Sequence, residues 1–184
     1  MLAFAALLLL LPLGPLLQLQ FTLAAKSVPR ALNITTIAAN PQKESILECW
    51  RLTAPLLESS VPGTSGAVFA QLGQGNATSY GLIPPRFDGG LHNAPAIQWV
   101  VFTAGEAVIS FPNSSAQATI HGGRNGLILA ADIASVSTYG HITMYPSNQE
   151  TVAIQIPLEN NIVPDHTVLY EGPCRKREQD NYKQ

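Results

Sequence analysis

The chain has 184 residues, of which 46% are hydrophobic and only 12% are charged, and its formal net charge is −2. This charge balance gives no reason to expect nucleic acid or an anionic membrane surface as a partner. Without an N-terminal signal segment, about 160 residues would remain, which is enough for one domain with a substantial core but not for two.

Residues 1–25 are predicted to be a cleaved signal peptide. The run 1–17 is almost wholly apolar, but Pro12 and Pro15 interrupt it, and it is shorter than the ~20 residues that a bilayer-spanning helix needs. An uncleaved signal anchor is the alternative, because no Lys or Arg precedes the apolar run. We therefore expect a secreted or secretory-pathway lumenal protein, with no stable membrane span after signal cleavage.

Two further features are consistent with secretion. Three segments fit the N-glycosylation acceptor pattern, at Asn33, Asn76 and Asn113. The two cysteines, Cys49 and Cys174, would be able to pair in an oxidising compartment, and two unpaired thiols are the alternative. A bond between them would close nearly the whole domain into one loop, with a stabilisation on the order of 4 to 5 kcal/mol for a loop of roughly 100 residues.

The remaining chain is predicted to be β throughout. Its short segments, apolar or alternating, are rich in Val, Ile and aromatic residues, as is typical of strands. In chain order the predicted strands are 67–72, 96–103, 107–111, 126–131, 141–145 and 151–158. Gly-, Pro- and Asn-rich turn signals separate them, and only 43–57 is compatible with a helical turn or two, or equally with an edge strand. This spacing predicts an all-β sandwich or barrel.

Two segments with spaced histidines are the most informative part of the sequence. Because strand side chains alternate, His92 and Gln98 would share one face of a regular strand, and His141, Thr143 and Tyr145 would share one face of another. This pattern predicts two hairpins that direct two imidazoles and one amide into a single cavity. A buried polar group without a partner costs roughly 1 to 3 kcal/mol, so hydrogen bonds, a metal or a ligand must satisfy these groups.

These segments resemble the two motifs of the cupin superfamily. The first runs from His92 through Pro95 and Gln98 to Gly105. The second runs from Asn125 and Gly126 through Asp132 to Gly140, His141 and Thr143. A subgroup of small cupins with an HxAPxxQ first motif and a D…GHxT second motif is the nearest likeness. The resemblance implies a jelly-roll β-barrel of the RmlC-like kind, a double-stranded β-helix, as a single domain after the signal peptide.

The resemblance also sets the expected domain organisation. Residues 26–60 would be an N-terminal extension packing on the barrel, and 61–174 would form the cupin β-barrel. Residues 175–184 are polar and carry mixed charge, and a basic run followed at once by acidic residues favours a disordered, solvated tail over a recognition patch.

The sequence departs from the cupin metal set at two positions. Carried over residue by residue, His92 and His141 keep the ligand type, whereas Ala94 replaces the second histidine of the first motif and Gln98 replaces its glutamate. A neutral amide is a poor ligand for transition metals and does not offset the charge of a cation. The resemblance therefore implies either no cofactor or one divalent metal ion held by His92, His141 and Gln98.

The same residues are candidates for catalysis. Imidazole is the side chain suited to acid–base work near neutral pH, so His92 and His141 are predicted as acid or base, and Gln98 is predicted to orient a substrate carbonyl or hydroxyl. The alternative is that both histidines are cavity residues tied to the backbone. The residues predicted to contact substrate are Tyr80, Arg86, Asp132, Thr143 and Tyr145.

Each of these has a plainer alternative. Asp132 is predicted to fix a histidine tautomer, but it also fits a turn or capping residue. Tyr80 and Arg86 are equally compatible with surface groups. The other two histidines, His121 and His166, are expected to be solvated loop residues.

Together these observations predict a secreted cupin-fold enzyme that performs proton-transfer chemistry on a small molecule. Isomerisation, cyclisation, dehydration and lyase cleavage are the reactions considered, in a natural-product biosynthetic pathway by analogy alone. The first alternative is a non-catalytic module that binds a sugar or an apolar ligand, and the second is a metal-dependent oxygenase. Because cupin barrels often pair through edge strands, the resemblance is also compatible with a homodimer.

Overall fold

A computed structural model describes residues 31–179, so the predicted signal peptide lies outside the described residues. The described chain is mostly β, as predicted. Its strands are β1 (Ala31–Ala39), β2 (Ser45–Pro55), β3 (Leu57–Glu58), β4 (Val68–Phe69), β5 (Ser79–Ile83), β6 (Phe87–His92), β7 (Gln98–Ala104), β8 (Glu106–Phe111), β9 (Ser114–His121), β10 (Leu127–Ala130), β11 (His141–Tyr145), β12 (Thr151–Pro157) and β13 (His166–Glu171). A 3₁₀ turn covers Glu159–Asn161, and one helical turn, α1, covers Lys176–Gln179.

The strands form two main sheets. The larger sheet has the order β13-β2-β1-β10-β7-β12-β5, and the smaller one has the order β6-β11-β8-β9, with β3 and β4 pairing separately. Neighbouring strands are antiparallel except β1 and β10, which run parallel. Within residues 31–179 neither sheet closes on itself.

The core lies on both faces of the larger sheet. One apolar cluster fills the space between the two sheets and includes Ile37 and Phe102 from the larger sheet and Ile109 from the smaller one. A second cluster, which includes Trp50 and Trp99, covers the opposite face of the larger sheet. The larger sheet is therefore buried on both sides along its central strands.

This two-sided burial explains why β1 is not evident in the sequence. Residues 33–38 are all buried, so β1 lacks the alternation of apolar and polar residues that marks a half-exposed strand. Residues 26–60, which the sequence assigns to an extension packing on the barrel, contain β1 and β2, and these are interior strands of the larger sheet. Accordingly, 43–57 is neither helical nor an edge strand.

The C-terminal part of the described chain is tied to the sheet. The predicted pairing of Cys49 with Cys174 is confirmed, with their Cα atoms 4.6 Å apart and a sequence separation of 125. Residues 176–179, assigned from sequence to a disordered tail, form α1, where the Glu178 carboxylate accepts hydrogen bonds from the Tyr170 hydroxyl and the Arg175 backbone N–H. No helix within the described residues is long and apolar enough to cross a bilayer.

Candidate functional site

A cavity of about 230 Å³ lies between the two sheets and contains the predicted histidine pair. Its apolar walls are formed by Ile37, Ala94, Pro95, Val100, Phe102, Ile109, Ile128 and Ala130. Its polar lining consists of His92, Gln98, His141, Thr143, Tyr145 and Gln155. The structure thus brings together both imidazoles, the amide and two of the predicted substrate-binding residues.

The first motif reaches this cavity from two strands rather than one. His92 ends β6 in the smaller sheet, whereas Gln98 begins β7 in the larger sheet. The chain crosses between them at Ala94, which forms an isolated bridge with Ile133, and at Pro95. Because proline cannot donate to a ladder, it favours such a break. The two side chains therefore face each other across the cavity instead of sharing a strand face.

The two histidines are cross-strand partners. His141 pairs directly with His92 in the antiparallel register of β11 and β6, and their ring centroids are 4.5 Å apart. His141 is only 4% exposed, whereas His92 is exposed at the mouth. Gly140 permits this approach, because its φ is +79° and a Cβ there would overlap the carbonyl group of His92.

A buried carboxylate orients His141. The Oδ2 atom of Asp132 lies 2.7 Å from Nδ1 of His141 and accepts a second 2.7 Å hydrogen bond from the Ser45 hydroxyl. Asp132 is 0% exposed, so this carboxylate has no solvent to compete for these bonds. With Nδ1 carrying the proton toward the carboxylate, Nε2 is left as an acceptor on the cavity side of the ring. The geometry therefore favours the prediction that Asp132 fixes the tautomer of His141.

The segment that carries Asp132 is itself held in place. The Ser45 and Ser137 hydroxyls lie 2.7 Å apart, and Ser137 accepts a hydrogen bond from the backbone N–H of Gly140. The side chain of Asn93, the neighbour of His92, donates to the carbonyls of Asp132 and Ser137. Ser45, Ser137 and Asn93 were not predicted from the sequence. Only Asn93 carried a signal, which is its position inside the first motif.

His92 is oriented by backbone instead of by a carboxylate. Its Nδ1 lies 3.0 Å from the carbonyl oxygen of Gly90. A carbonyl only accepts, so Nδ1 carries the proton in this arrangement and Nε2 is again the free acceptor. Both rings therefore present the same kind of nitrogen, one inside the cavity and one at its mouth.

Gln98 and Tyr145 complete the polar lining. Gln98 is 5% exposed, and its side chain lines the cavity. Burial raises the pKa of Tyr145, so its phenol stays protonated through the neutral range and is available as a hydrogen-bond donor.

Two predicted substrate-binding residues are not part of this cavity. Tyr80 is 66% exposed on β5, and the exposed Arg86 donates to Asn148 Oδ1 at 2.7 Å. Neither lines the cavity, so the structure places both at the surface. Both were predicted to contact substrate because they lie just upstream of the first motif in the sequence.

The other two histidines belong to strands. His121 ends β9, where its exposed ring lies 3.1 Å from a carboxylate oxygen of Glu106. His166 begins β13 and stacks on Trp50 with ring centroids 3.4 Å apart. Both histidines were expected to be solvated loop residues. That is wrong for both, because each lies on a strand, and the ring of His166 is also stacked on Trp50.

The three glycosylation candidates differ in accessibility. Asn76 and Asn113 are exposed, the latter in the turn between β8 and β9. Asn33 is 8% exposed, and its side chain donates to the Glu178 carbonyl and accepts from Arg51. The folded chain presents only the first two to solvent.

The cavity does not supply the donors that a transition metal usually takes. Within the described residues, no three His, Cys, Asp or Glu side chains form a group that could hold a metal ion. The cavity offers two imidazoles and a neutral amide, while the Asp132 carboxylate lies behind His141 and bonds its Nδ1. Metal sites of the cupin kind need three or four strong donors, so this set does not fit one. The chemistry proposed below uses the side chains alone.

No family model matches this chain, and no curated protein is similar to it. The likeness to cupins therefore rests on the two motifs.

Proposed function

We propose that this chain is a secreted, cupin-type enzyme that moves a proton within a bound small molecule. The observation that carries the proposal is the buried Asp132–His141 pair, which leaves Nε2 of His141 as a base facing the cavity. A carboxylate behind an imidazole is the arrangement that general bases use in many enzymes, because it fixes the tautomer and stabilises the imidazolium that forms.

The proposed reaction needs no group beyond these side chains. Nε2 of His141 accepts a proton from an acidic C–H or O–H of the bound molecule, which becomes an anion while His141 becomes an imidazolium. Asp132 stabilises that imidazolium, since hydrogen bonds to charged groups contribute about 1.5 to 3 kcal/mol. Return of the proton to a different atom completes an isomerisation, and its delivery to a leaving group completes an elimination.

His92 has a separate role in this proposal. Its ring is exposed at the mouth and its centroid is 4.5 Å from that of His141. It exchanges protons with solvent and relays them to the buried imidazole or to the bound molecule. A base that is only 4% exposed requires such a path if it is to be reset after each turnover.

The cupin assignment and the compartment have their own support. Both motif histidines lie on paired strands at one cavity, between two predominantly antiparallel sheets, and a jelly-roll barrel would place them in this way. The Cys49–Cys174 pair is consistent with an oxidising compartment, and hence with a protein of the secretory route.

Proton abstraction is testable without the natural substrate. Acetophenone in D2O exchanges its methyl hydrogens only when a base removes them, and ¹H NMR follows the loss of the methyl signal. We expect the protein to accelerate this exchange and His141→Gln to abolish the acceleration. His121→Gln makes the same change at an exposed histidine outside the cavity and should leave the rate unchanged. Acceleration that survives His141→Gln would contradict the proposal.

A binding module is the second candidate, because most of the cavity wall is apolar. In that case acetophenone would bind without exchange, and His141→Gln would leave its affinity unchanged.

A further inference from the structure

We propose that the molecule bound in this cavity is electrically neutral, and that it is a compact, largely apolar compound with one carbonyl or hydroxyl oxygen bound to Gln98. This inference rests on the proposed function for the role of His141. It adds the class of substrate that the site accepts.

The first observation is the absence of charge on the cavity wall. None of the fourteen side chains that line it in the described structure is Asp, Glu, Lys or Arg. An anion would find neither Lys nor Arg on this wall, and it would approach the buried carboxylate of Asp132 behind His141. A cation would find no exposed carboxylate. A charged molecule would thus lose its hydration without compensation, which is far more costly than the same transfer of a neutral one.

The second observation is the buried amide of Gln98. It is 5% exposed and lines the cavity from β7 of the larger sheet, whereas both histidines belong to strands of the smaller sheet. Buried amides in native proteins are almost always paired. A ligand carbonyl accepting from its N–H₂, or a hydroxyl doing so and also donating to its oxygen, would satisfy it.

The third observation is size. An engineered apolar cavity of about 150 Å³ binds benzene, and this cavity measures about 230 Å³. It therefore has room for one ring with a short polar substituent. With the carbonyl oxygen at Gln98, a hydrogen on the adjacent carbon can face His141, and the anion left after its removal keeps its charge on the oxygen bound to the amide.

Three probes of nearly equal size test the charge preference: acetophenone, benzoate and benzylammonium. Their affinities for the full secreted protein are measured at neutral pH by ligand-detected NMR titration. We expect acetophenone to bind at least about tenfold more tightly than either ion, because neither charge finds a partner. Equal or tighter binding of benzoate or benzylammonium would overturn the inference, and so would failure of all three to bind.

Gln98→Glu provides a matched reversal. It keeps the shape of the side chain and adds a carboxylate, so the preference should move from acetophenone to benzylammonium. The control, Gln117→Glu, adds the same charge on the exposed face of β9 and should leave the order unchanged. Retention of the ketone preference in Gln98→Glu would show that the amide does not contact the ligand and would overturn its assigned role.

The exchange assay separates this inference from the proposed function. Preferential binding of acetophenone without exchange supports the neutral ligand and rejects the enzyme. Exchange without discrimination between neutral and charged probes supports the enzyme and rejects the neutral ligand.

Discussion

Removal of the Cys49–Cys174 bond should destabilise the fold strongly while leaving the site intact. The bond joins β2, which lies beside the edge strand β13 of the larger sheet, to the segment that follows β13. Neither cysteine lines the cavity. The perturbation is the double variant Cys49→Ala/Cys174→Ala, with reductant-treated wild type as a second route to the same broken link.

The magnitude follows from the length of the loop. For a sequence separation of 125 residues, the loss of loop-closure entropy in the unfolded chain corresponds to about 5 kcal/mol at 25 °C. Most domains of this size are stable by only about 5 to 15 kcal/mol, so the variant should lie near the threshold of unfolding. At about 2 to 4 °C per kcal/mol, the midpoint of thermal unfolding should fall by about 10 to 20 °C.

Urea unfolding followed by tryptophan fluorescence measures this loss, because Trp50 and Trp99 are both buried. The reduced wild type should lose a similar amount, which controls for the small voids left by alanine. At low temperature, where the variant stays folded, the exchange of acetophenone should match that of the wild type. A loss of less than about 1 kcal/mol in both forms would refute the entropic reasoning, and a folded but inactive variant would refute the independence of the site.

Four further predictions concern the site and its surroundings. Asp132→Asn should slow acetophenone exchange by roughly tenfold to a hundredfold, because a charge-assisted hydrogen bond to the imidazolium is lost; a rate within about twofold of wild type would contradict the role of the carboxylate. Gly140→Ala should lower the free energy of unfolding by at least about 2 kcal/mol, since its Cβ would overlap the carbonyl of His92. Gly66→Ala, with φ of +82° but open space, should cost less in the same urea titration. Because burial raises the pKa of Tyr145, the folded state holds that proton more tightly than the unfolded chain, and stability should fall as the pH rises above about 10. Tyr145→Phe should reduce this alkaline slope, and an unchanged slope would exclude the phenol as its source. Mass spectrometry of secreted protein never exposed to chelator or nickel resin should find substoichiometric metal; stoichiometric iron, manganese, zinc or copper would contradict the side-chain chemistry.

The sequence predicted the apolar strands well. Five strands lie close to the predicted positions, and each has an alternating or apolar run of Val, Ile or aromatic residues. These strands are β7, β8, β10, β11 and β12. The predicted strand 67–72 is reduced to Val68–Phe69. Strands β5 and β6 were missed because glycine and aspartate interrupt their apolar pattern. Strand β1 was missed because the buried polar residues Asn33, Thr35 and Thr36 interrupt its apolar run. Local pattern thus identifies a strand where apolar residues alternate with polar ones or follow one another in a run.

The residues of the candidate site were also predicted only in part. The placement of both histidines and Gln98 at one cavity agrees with the motif spacing, because all three lie in two short segments. Ser45 was not predictable, since it is 87 residues from Asp132 and only the sheet order brings the two together. Tyr80 and Arg86 show the converse error, because closeness in sequence to the motif did not place them at the cavity.

The parallel pairing of β1 with β10 has a consequence for the order of folding. Thr35 pairs with Ile128 across about half of the chain, and such distant contacts must be made before the larger sheet is complete. Ser45 begins β2 and donates to Asp132, so the carboxylate of the proposed general base is fixed only after these two parts of the chain have met. Activity should therefore emerge as a late event in refolding, on the millisecond-to-second scale of non-local β topologies, after the hairpin of β8 and β9 has formed.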